Sequence, residues 1–312
     1  MWEPDPSWRA LPGAGGPATE GIWLAEADGR RWVVKRLSAP EHPAGVLADP
    51  AHAGYWRREA EVARDPAVVD GPGLVPPEFG PVEEDEGGIT VWSLEQEGEP
   101  PPGLFVAHAL GRFSAAAHAT PSWASRRLLA DRLAMAEARG GWPTLARTTL
   151  ADVADSLWRR REHWLERCLE APEGRLHGDA VPANFLTARA DDVVAVDWQC
   201  FGTGPVGTDV GYYSLSSREE FEVLVGAFLD GVFLDGGVPD AGNTDADREA
   251  ITLAARVTAV YSVLTRAEWA LAQAARGEGA LAGKFRHPAV APHLRAVQRQ
   301  FPQIEWLVQS RH

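Results

Sequence analysis

The sequence predicts an α+β chain in two lobes: a small, mainly antiparallel β lobe over residues 1–98 and a larger, mostly helical lobe over 99–312. Three observations predict it. Residues 20–37 alternate in two arms about a turn, helical periodicity dominates beyond residue 103, and a polar, proline-rich stretch separates the two regimes. At 312 residues the chain has also reached the size at which one hydrophobic core stops growing.

Taken in order, Ile22-Trp23-Leu24 and Trp32-Val33-Val34-Lys35 form the arms of a hairpin, with Asp28-Gly29 at its tip, where positive φ is tolerated. Upstream, Pro12-Gly13-Ala14-Gly15-Gly16-Pro17 is glycine-rich but lacks the G-x-G-x-x-G spacing, so it reads as a surface loop. Residues 52–64 read as a helix carrying Glu59 and Glu61. Strands are expected at 78–83 and 89–94, around the acidic turn Glu83–Gly88. The linker, at about 94–102, runs Glu95-Gln96-Glu97-Gly98-Glu99 into Pro100-Pro101-Pro102. Helices follow at 103–119, 122–138, 218–234, 247–275 and 290–308. Leu150, Val153, Leu157, Trp164 and Cys168 draw one long amphipathic face, a floor beneath the loop that follows, with Thr149 and Asp152 spaced as a capping box.

Composition excludes several functions. Hydrophobic residues make up 45% and charged residues 24%, as in a globular protein. A net charge of −14 repels nucleic acid and anionic membranes, and favours a neutral or cationic small partner as well as solubility. Cys168 and Cys200 are the only cysteines, without zinc-site spacing, and suit a reducing cytosol. Met1-Trp2-Glu3-Pro4-Asp5 is not the start of a secretion signal, and no apolar run reaches membrane-spanning length, so a cytoplasmic protein is expected. Gly279–Phe285 resembles a P-loop only faintly, with one residue too few between its glycines, and Lys284 reads as a loop residue. The acidic run from Asp230 to Glu249 reads as a solvated face.

The chemistry concentrates in His177-Gly178-Asp179-Ala180-Val181-Pro182-Ala183-Asn184 and in the apolar run Val193–Val196 that ends on Asp197. Asn184 follows Asp179 by five positions, the base-to-amide interval of the protein-kinase pattern H-R-D-x-x-x-x-N. Asp197 closes a predicted buried strand, where a hairpin brings it back towards Asn184. Either fragment alone is commonplace in polar loops; the ordered set is not. Phosphoryl transfer needs a carboxylate beside the accepting hydroxyl and oxygen ligands for Mg²⁺. Asp179 suits the first role, and Asn184 and Asp197 the second. His177 reads as a scaffold for the loop. Of 30 basic residues only Lys35 and Lys284 are lysine, so a lysine within a strand stands out. Lys35 is therefore assigned to the α and β phosphates, with Glu59 as its partner in preference to Glu61.

These pieces resemble the aminoglycoside phosphotransferase and choline kinase superfamily. The likeness is carried by His177-Gly178-Asp179 to Asn184, by Val196-Asp197-Trp198 and by Gly204-Pro205 to Asp209. It extends more faintly over Val34-Lys35, Arg58-Glu59 and Trp92–Glu95. The resemblance implies a bilobal protein-kinase-like fold that uses ATP or GTP with Mg²⁺ to phosphorylate a hydroxyl of a small molecule. It further implies that the linker at Glu95 and Glu97 meets the adenine through its backbone, and that Asp209 braces the catalytic loop. Ala180-Val181-Pro182 departs from the polar residues of His-Gly-Asp-Leu-His-Pro, and Gly178 stands where protein kinases keep the arginine that reads a phosphorylated activation loop. Only 12 positions separate Asp197 from Asp209, too few for such a segment, which favours a small-molecule kinase. The expected acceptor is an aminoglycoside, an amino sugar or a related cationic polyol. A catalytically silent, nucleotide-binding regulator is the alternative, disfavoured by the complete set of Lys35, Asp179, Asn184 and Asp197. Hydrolysis lacks a Gly-x-Ser-x-Gly elbow.

Overall fold

A computed structural model describes residues 2–12, 18–39, 44–117, 119–235, 244–275 and 287–310. The first sheet has five strands: β1 (Arg9–Ala10), β2 (Thr19–Ala27), β3 (Arg30–Leu37), β5 (Phe79–Asp85) and β6 (Gly88–Leu94), in the order β1-β2-β3-β6-β5 and antiparallel throughout. Asp28 and Gly29 both take positive φ, 50° and 72°, which is the backbone twist a two-residue hairpin loop needs. Strand alternation then sorts β3. Val34 and Arg36 lie on one face, where Trp2 covers the Arg36 guanidinium; Lys35 and Leu37 lie on the other.

That second face is covered by helix. A single turn α1 (Ala44–Leu47) precedes α2 (Arg58–Arg64), whose Ala60 and Ala63 pack with Leu37, Ile89 and Val91 in a small core. The helix expected over 52–64 thus starts only at residue 58, because residues 50–57 form turns. In those turns the carbonyls of Pro50, His52 and Ala53 accept from the Arg58 guanidinium and do not propagate a helix.

Beyond Leu94 the stretch 95–102 is irregular. Helices α3 (Gly103–Ala115), α4 (Leu128–Ala138), α5 (Ala151–Arg159), α6 (Arg161–Cys168), α7 (Thr208–Tyr213), α8 (Phe221–Asp230), α9 (Asp245–Ala275), α10 (Ala291–Arg299) and α11 (Phe301–Gln309) follow. They enclose the main core, with α9 at its centre and α6, α7 and α10 packed on it. The amphipathic stretch at 150–168 is two helices broken at Arg160, whose guanidinium turns to the carbonyls of Leu307 and Ser310. These helices pack on α9 and α11, and the loop at 177–184 is braced by α7 instead. The capping box at Thr149 is not formed: Leu150 caps α5, and the neighbouring Thr148 hydroxyl donates to Leu145 O. The stretch at 290–308 likewise breaks at Gln300, ahead of Pro302. The helix expected at 218–234 ends at Asp230 and continues as a π turn over Gly231–Asp235.

Two small sheets frame the loop between the strands. β7 (Glu173–Leu176) pairs antiparallel with β10 (Gly202–Pro205), while β8 (Phe185–Arg189) and β9 (Asp192–Ala195) form the hairpin expected around Asn184. β4 (Leu74–Val75) runs parallel to β9 at its other edge. The glycine-rich segment at 13–17, Asp240 and the Gly279–Phe285 segment with Lys284 lie outside the described residues.

Candidate active site

The loop between β7 and β8 carries His177 to Asn184, and its shape is fixed from below. Asp209, in the first turn of α7, is 1% exposed; its two carboxylate oxygens accept the backbone amides of His177 at 2.6 Å and Gly178 at 2.9 Å. Burial pushes the Asp209 carboxyl up, and the nearby His177 and the two amide bonds pull it back. His177 is fully buried between Trp198 and Phe185. Its Nδ1 accepts the Asp179 amide at 3.3 Å, which places the proton on Nε2, and that nitrogen donates to Val196 O at 2.9 Å. The ring therefore ties the loop to the end of β9 and has no free nitrogen for proton transfer.

Asp179 and Asn184 converge. Asn184 Nδ2 donates to Asp179 O at 2.8 Å and lies 3.4 Å from Asp179 Oδ2. With the amide nitrogen so directed, Asn184 Oδ1 is left open, as is most of the Asp179 carboxylate. Val196 N donates to Asn184 O at 3.0 Å, so the β8–β9 hairpin delivers the next residue, Asp197, beside the loop. Asp197 sits at φ 64°, ψ 57°, a left-handed conformation uncommon for aspartate. That turn aims its carboxylate back across the site. Ala180, fully buried in the main core, stands where the pattern has Leu, and the polar residue that is replaced is the one at half-buried Val181.

Lys35 reaches the same place from β3. Its Nζ lies 2.7 Å from Asp197 Oδ1 and 2.5 Å from Glu59 Oε2 on α2. Burial alone would lower the Lys35 ammonium, but the two carboxylates outweigh it and hold the group above the ordinary lysine range. Burial pushes the Glu59 carboxyl up, against the pull of Lys35. Glu61, one turn face away, meets Arg64 and Arg57. The linker glutamates are placed differently: the Glu95 carboxylate lies 2.7 Å from Arg31 Nε and that of Glu97 2.7 Å from Arg31 Nη2. The Glu95 amide donates to Arg31 O, so it is not open to a ligand, whereas the Glu97 backbone makes no such bond among the described residues.

Two residues hold positions to which the sequence reading gave no role, and Arg58 entered it only within the fainter likeness at Arg58-Glu59. Arg58 is fully buried, and its guanidinium donates to five backbone carbonyls, those of Trp123, Ala53, Gln199, Pro50 and His52. It thereby joins the start of α2 to the segment just after Asp197. Burial lowers its proton affinity to about 10. Arg132 on α4 donates to Gly178 O at 2.7 Å and stacks 4.6 Å over the Tyr212 ring. In a chain with 28 arginines neither had a distinguishing local pattern.

The model of the phosphotransferase enzyme family matches residues 14–242. The chain belongs to that family. No curated protein matches it in sequence. Among solved structures, it is similar to choline kinase LicA from Streptococcus pneumoniae, with a TM-score of 0.59 at 15% identity over 94% of this chain and 92% of that one. Choline kinase from Cryptosporidium parvum Iowa II gives 0.55 at 12% identity over 97% and 91%. A thermostable mutant of aminoglycoside phosphotransferase APH(4)-Ia, in ternary complex with AMP-PNP and hygromycin B, gives 0.55 at 15% identity over 98% and 95%. At these identities the likeness is one of fold: this member of the phosphotransferase enzyme family has the protein-kinase-like α+β fold. No helix among its described residues is long and apolar enough to cross a membrane.

Proposed function

We propose that this small-molecule phosphotransferase is an ATP-dependent O-kinase, transferring the γ-phosphate to a hydroxyl of its acceptor. Residues 1–98 would form the nucleotide-binding lobe and 99–312 the catalytic and acceptor-binding lobe. One observation supports this above the rest: Lys35 from the first sheet meets Glu59 and Asp197 together, while Asp179 and Asn184 converge on the loop joined to Asp197. Asp179 accepts or orients the acceptor's hydroxyl proton, a contribution of about 10²–10⁴-fold in rate. Lys35 neutralises the α and β phosphates, with Glu59 fixing its ammonium, and the Glu97 backbone offers the adenine a donor and an acceptor.

The donor set suits Mg²⁺: Asp197 supplies a carboxylate and Asn184 an open amide oxygen, hard ligands for a cation that keeps water and phosphate oxygens for the rest. Among the described residues no three His, Cys, Asp or Glu side chains converge as a self-sufficient metal cage, in keeping with a metal that arrives with the nucleotide. Asn184 and Asp197 would hold Mg²⁺, which would supply positive charge against the phosphates. His177 and Asp209 hold the loop. The relative solved with AMP-PNP favours ATP over GTP, and two reduced cysteines favour the cytoplasm.

The test is nucleotide consumption with Mg²⁺ across a panel of hydroxyl acceptors, for wild type and Asp179→Asn. Turnover that needs an acceptor and falls at least a hundredfold in the variant is expected. A wild type that binds AMP-PNP but consumes no ATP with any acceptor would instead be the silent regulator.

A further inference from the structure

The chain carries a net charge of −14, yet two cavities of the helical lobe, one of them reached from the 177–184 loop through Arg132, have walls of the opposite sign. One, of about 390 Å³, is lined by Arg132, Arg139, Tyr212, Arg266, Trp269 and His293, among others. Arg132 is also the residue whose guanidinium donates to Gly178 O, so this cavity opens beside the peptide that precedes Asp179. A second, of about 820 Å³, shares Arg266 and His293 with it and adds Arg218, Arg295 and Arg299. Among the described residues no aspartate or glutamate lines either one.

Some of this charge has structural work. Arg299 donates to the carbonyls of Ser217 and Leu215, and Arg132 is engaged by Gly178 O and Cys200 Sγ. Arg266 is different: its polar contact is the Ser216 hydroxyl at 3.5 Å, and its guanidinium lies 5.4 Å from the Tyr212 ring, on which Arg132 also stacks. Two guanidinium groups thus flank one aromatic ring, and the acidic group that acts on Arg132 and Tyr212 is Asp179 of the adjoining loop. Arg139 is exposed at the rim, and Glu268, whose carboxyl feels the Arg139 charge, is buried and accepts from the Thr144 hydroxyl. Burial, and after it the Arg266 charge, hold His293 below the ordinary histidine value. Trp269, half exposed, supplies a flat apolar surface next to these donors.

We infer that the acceptor is an anion, a hydroxyl compound whose carboxylate or phosphate is held by Arg266 and Arg139 while its apolar part lies against Tyr212 and Trp269. This rests on the kinase reading of the adjoining site and reverses the cationic acceptor suggested by whole-chain charge. Guanidinium forks pair bidentately with carboxylate and phosphate, and a cavity lined by one sign of charge concentrates the opposite one. An aminoglycoside seated in this cavity would meet Arg139 and Arg266 as like charge.

Titration calorimetry of the full chain with Mg²⁺ and AMP-PNP tests this, using three probes on one polyol frame: glucose 6-phosphate, gluconate and glucosamine. Binding of at least one of the anions, in preference to glucosamine, is expected, and the two anions separate phosphate from carboxylate recognition. Arg266→Ala and the rim variant Arg139→Ala should each weaken that binding by about tenfold while leaving AMP-PNP binding unchanged. The inference is overturned if neither anion binds, if glucosamine binds as tightly as the better anion, or if both variants bind the anion like wild type. Failure of wild type to bind AMP-PNP strikes at the kinase reading instead, and the anion titration repeated without nucleotide still decides the charge of the cavity.

Discussion

Gly178 faces Cys200 so closely that a Cβ added to it would stand 2.2 Å from the Cys200 carbonyl oxygen, and its φ of +83° is one that only glycine adopts without strain. The position therefore has no room for the arginine of the protein-kinase pattern. Gly178→Ala should cost about 1–3 kcal/mol of stability and displace Asp179. A drop in the thermal midpoint together with at least tenfold slower phosphate transfer is the expected pair of readings.

Asp209→Asn keeps the size of the brace but replaces one acceptor oxygen with an amide that points hydrogens at a backbone N–H. One of the two buried amides, of His177 or Gly178, then loses its partner, at about 1–3 kcal/mol. Urea unfolding should report that loss. Because Asp209 holds the loop and touches no reacting atom, kcat should fall more than nucleotide affinity; unchanged kcat would count against the bracing role.

Lys35 and Glu59 are coupled. Lys35→Met leaves the Glu59 and Asp197 carboxylates facing each other, and Glu59→Gln leaves the buried ammonium with Asp197 as its one charged partner, so each should destabilise the protein, by about 1–3 kcal/mol. The double variant should be less destabilised than the two losses added together, and still inactive. A double-mutant cycle in denaturant, with AMP-PNP titrations alongside, checks both halves.

Burial pushes the Cys168 thiol up to about 12 and raises Cys200 too, the latter against the pull of Arg132. A raised folded value means that folding favours the protonated thiol. Its stabilising contribution is complete below the unfolded value of about 8.5 and is lost as pH climbs towards the folded one. Neither thiol should react with a disulfide reagent in the native protein at pH 8, and both should react in denaturant. The unfolding midpoint should fall as the medium is made more alkaline than the unfolded thiol's value.

What the sequence made legible was local. Asp28-Gly29 announces its hairpin because the turn needs those residue types, and Asp179, Asn184 and Asp197 announce their loop by their order and spacing. Pairings between distant segments were not legible. Leu74–Val75 pairs with Val193–Val194 through two residues of each strand, too little pattern to read. Helix limits failed where a side chain takes over backbone carbonyls, as Arg58 does before α2 and Arg160 does between α5 and α6. The charge of the cavity walls was hidden for a related reason: Arg132, Arg139, Arg266 and Arg295 come from three helices, and only folding gathers them against the whole-chain balance.

The five carbonyls gathered on Arg58 bear on control. In protein kinases the helix bearing the lysine's glutamate swings inward on activation, and that swing is the switch. Here the residue next to Glu59 is riveted to Gln199, two positions past Asp197, and to the turns on either side. Moving the helix outward would strand a buried cation, so the Arg58 contacts resist the outward position that switches a protein kinase off.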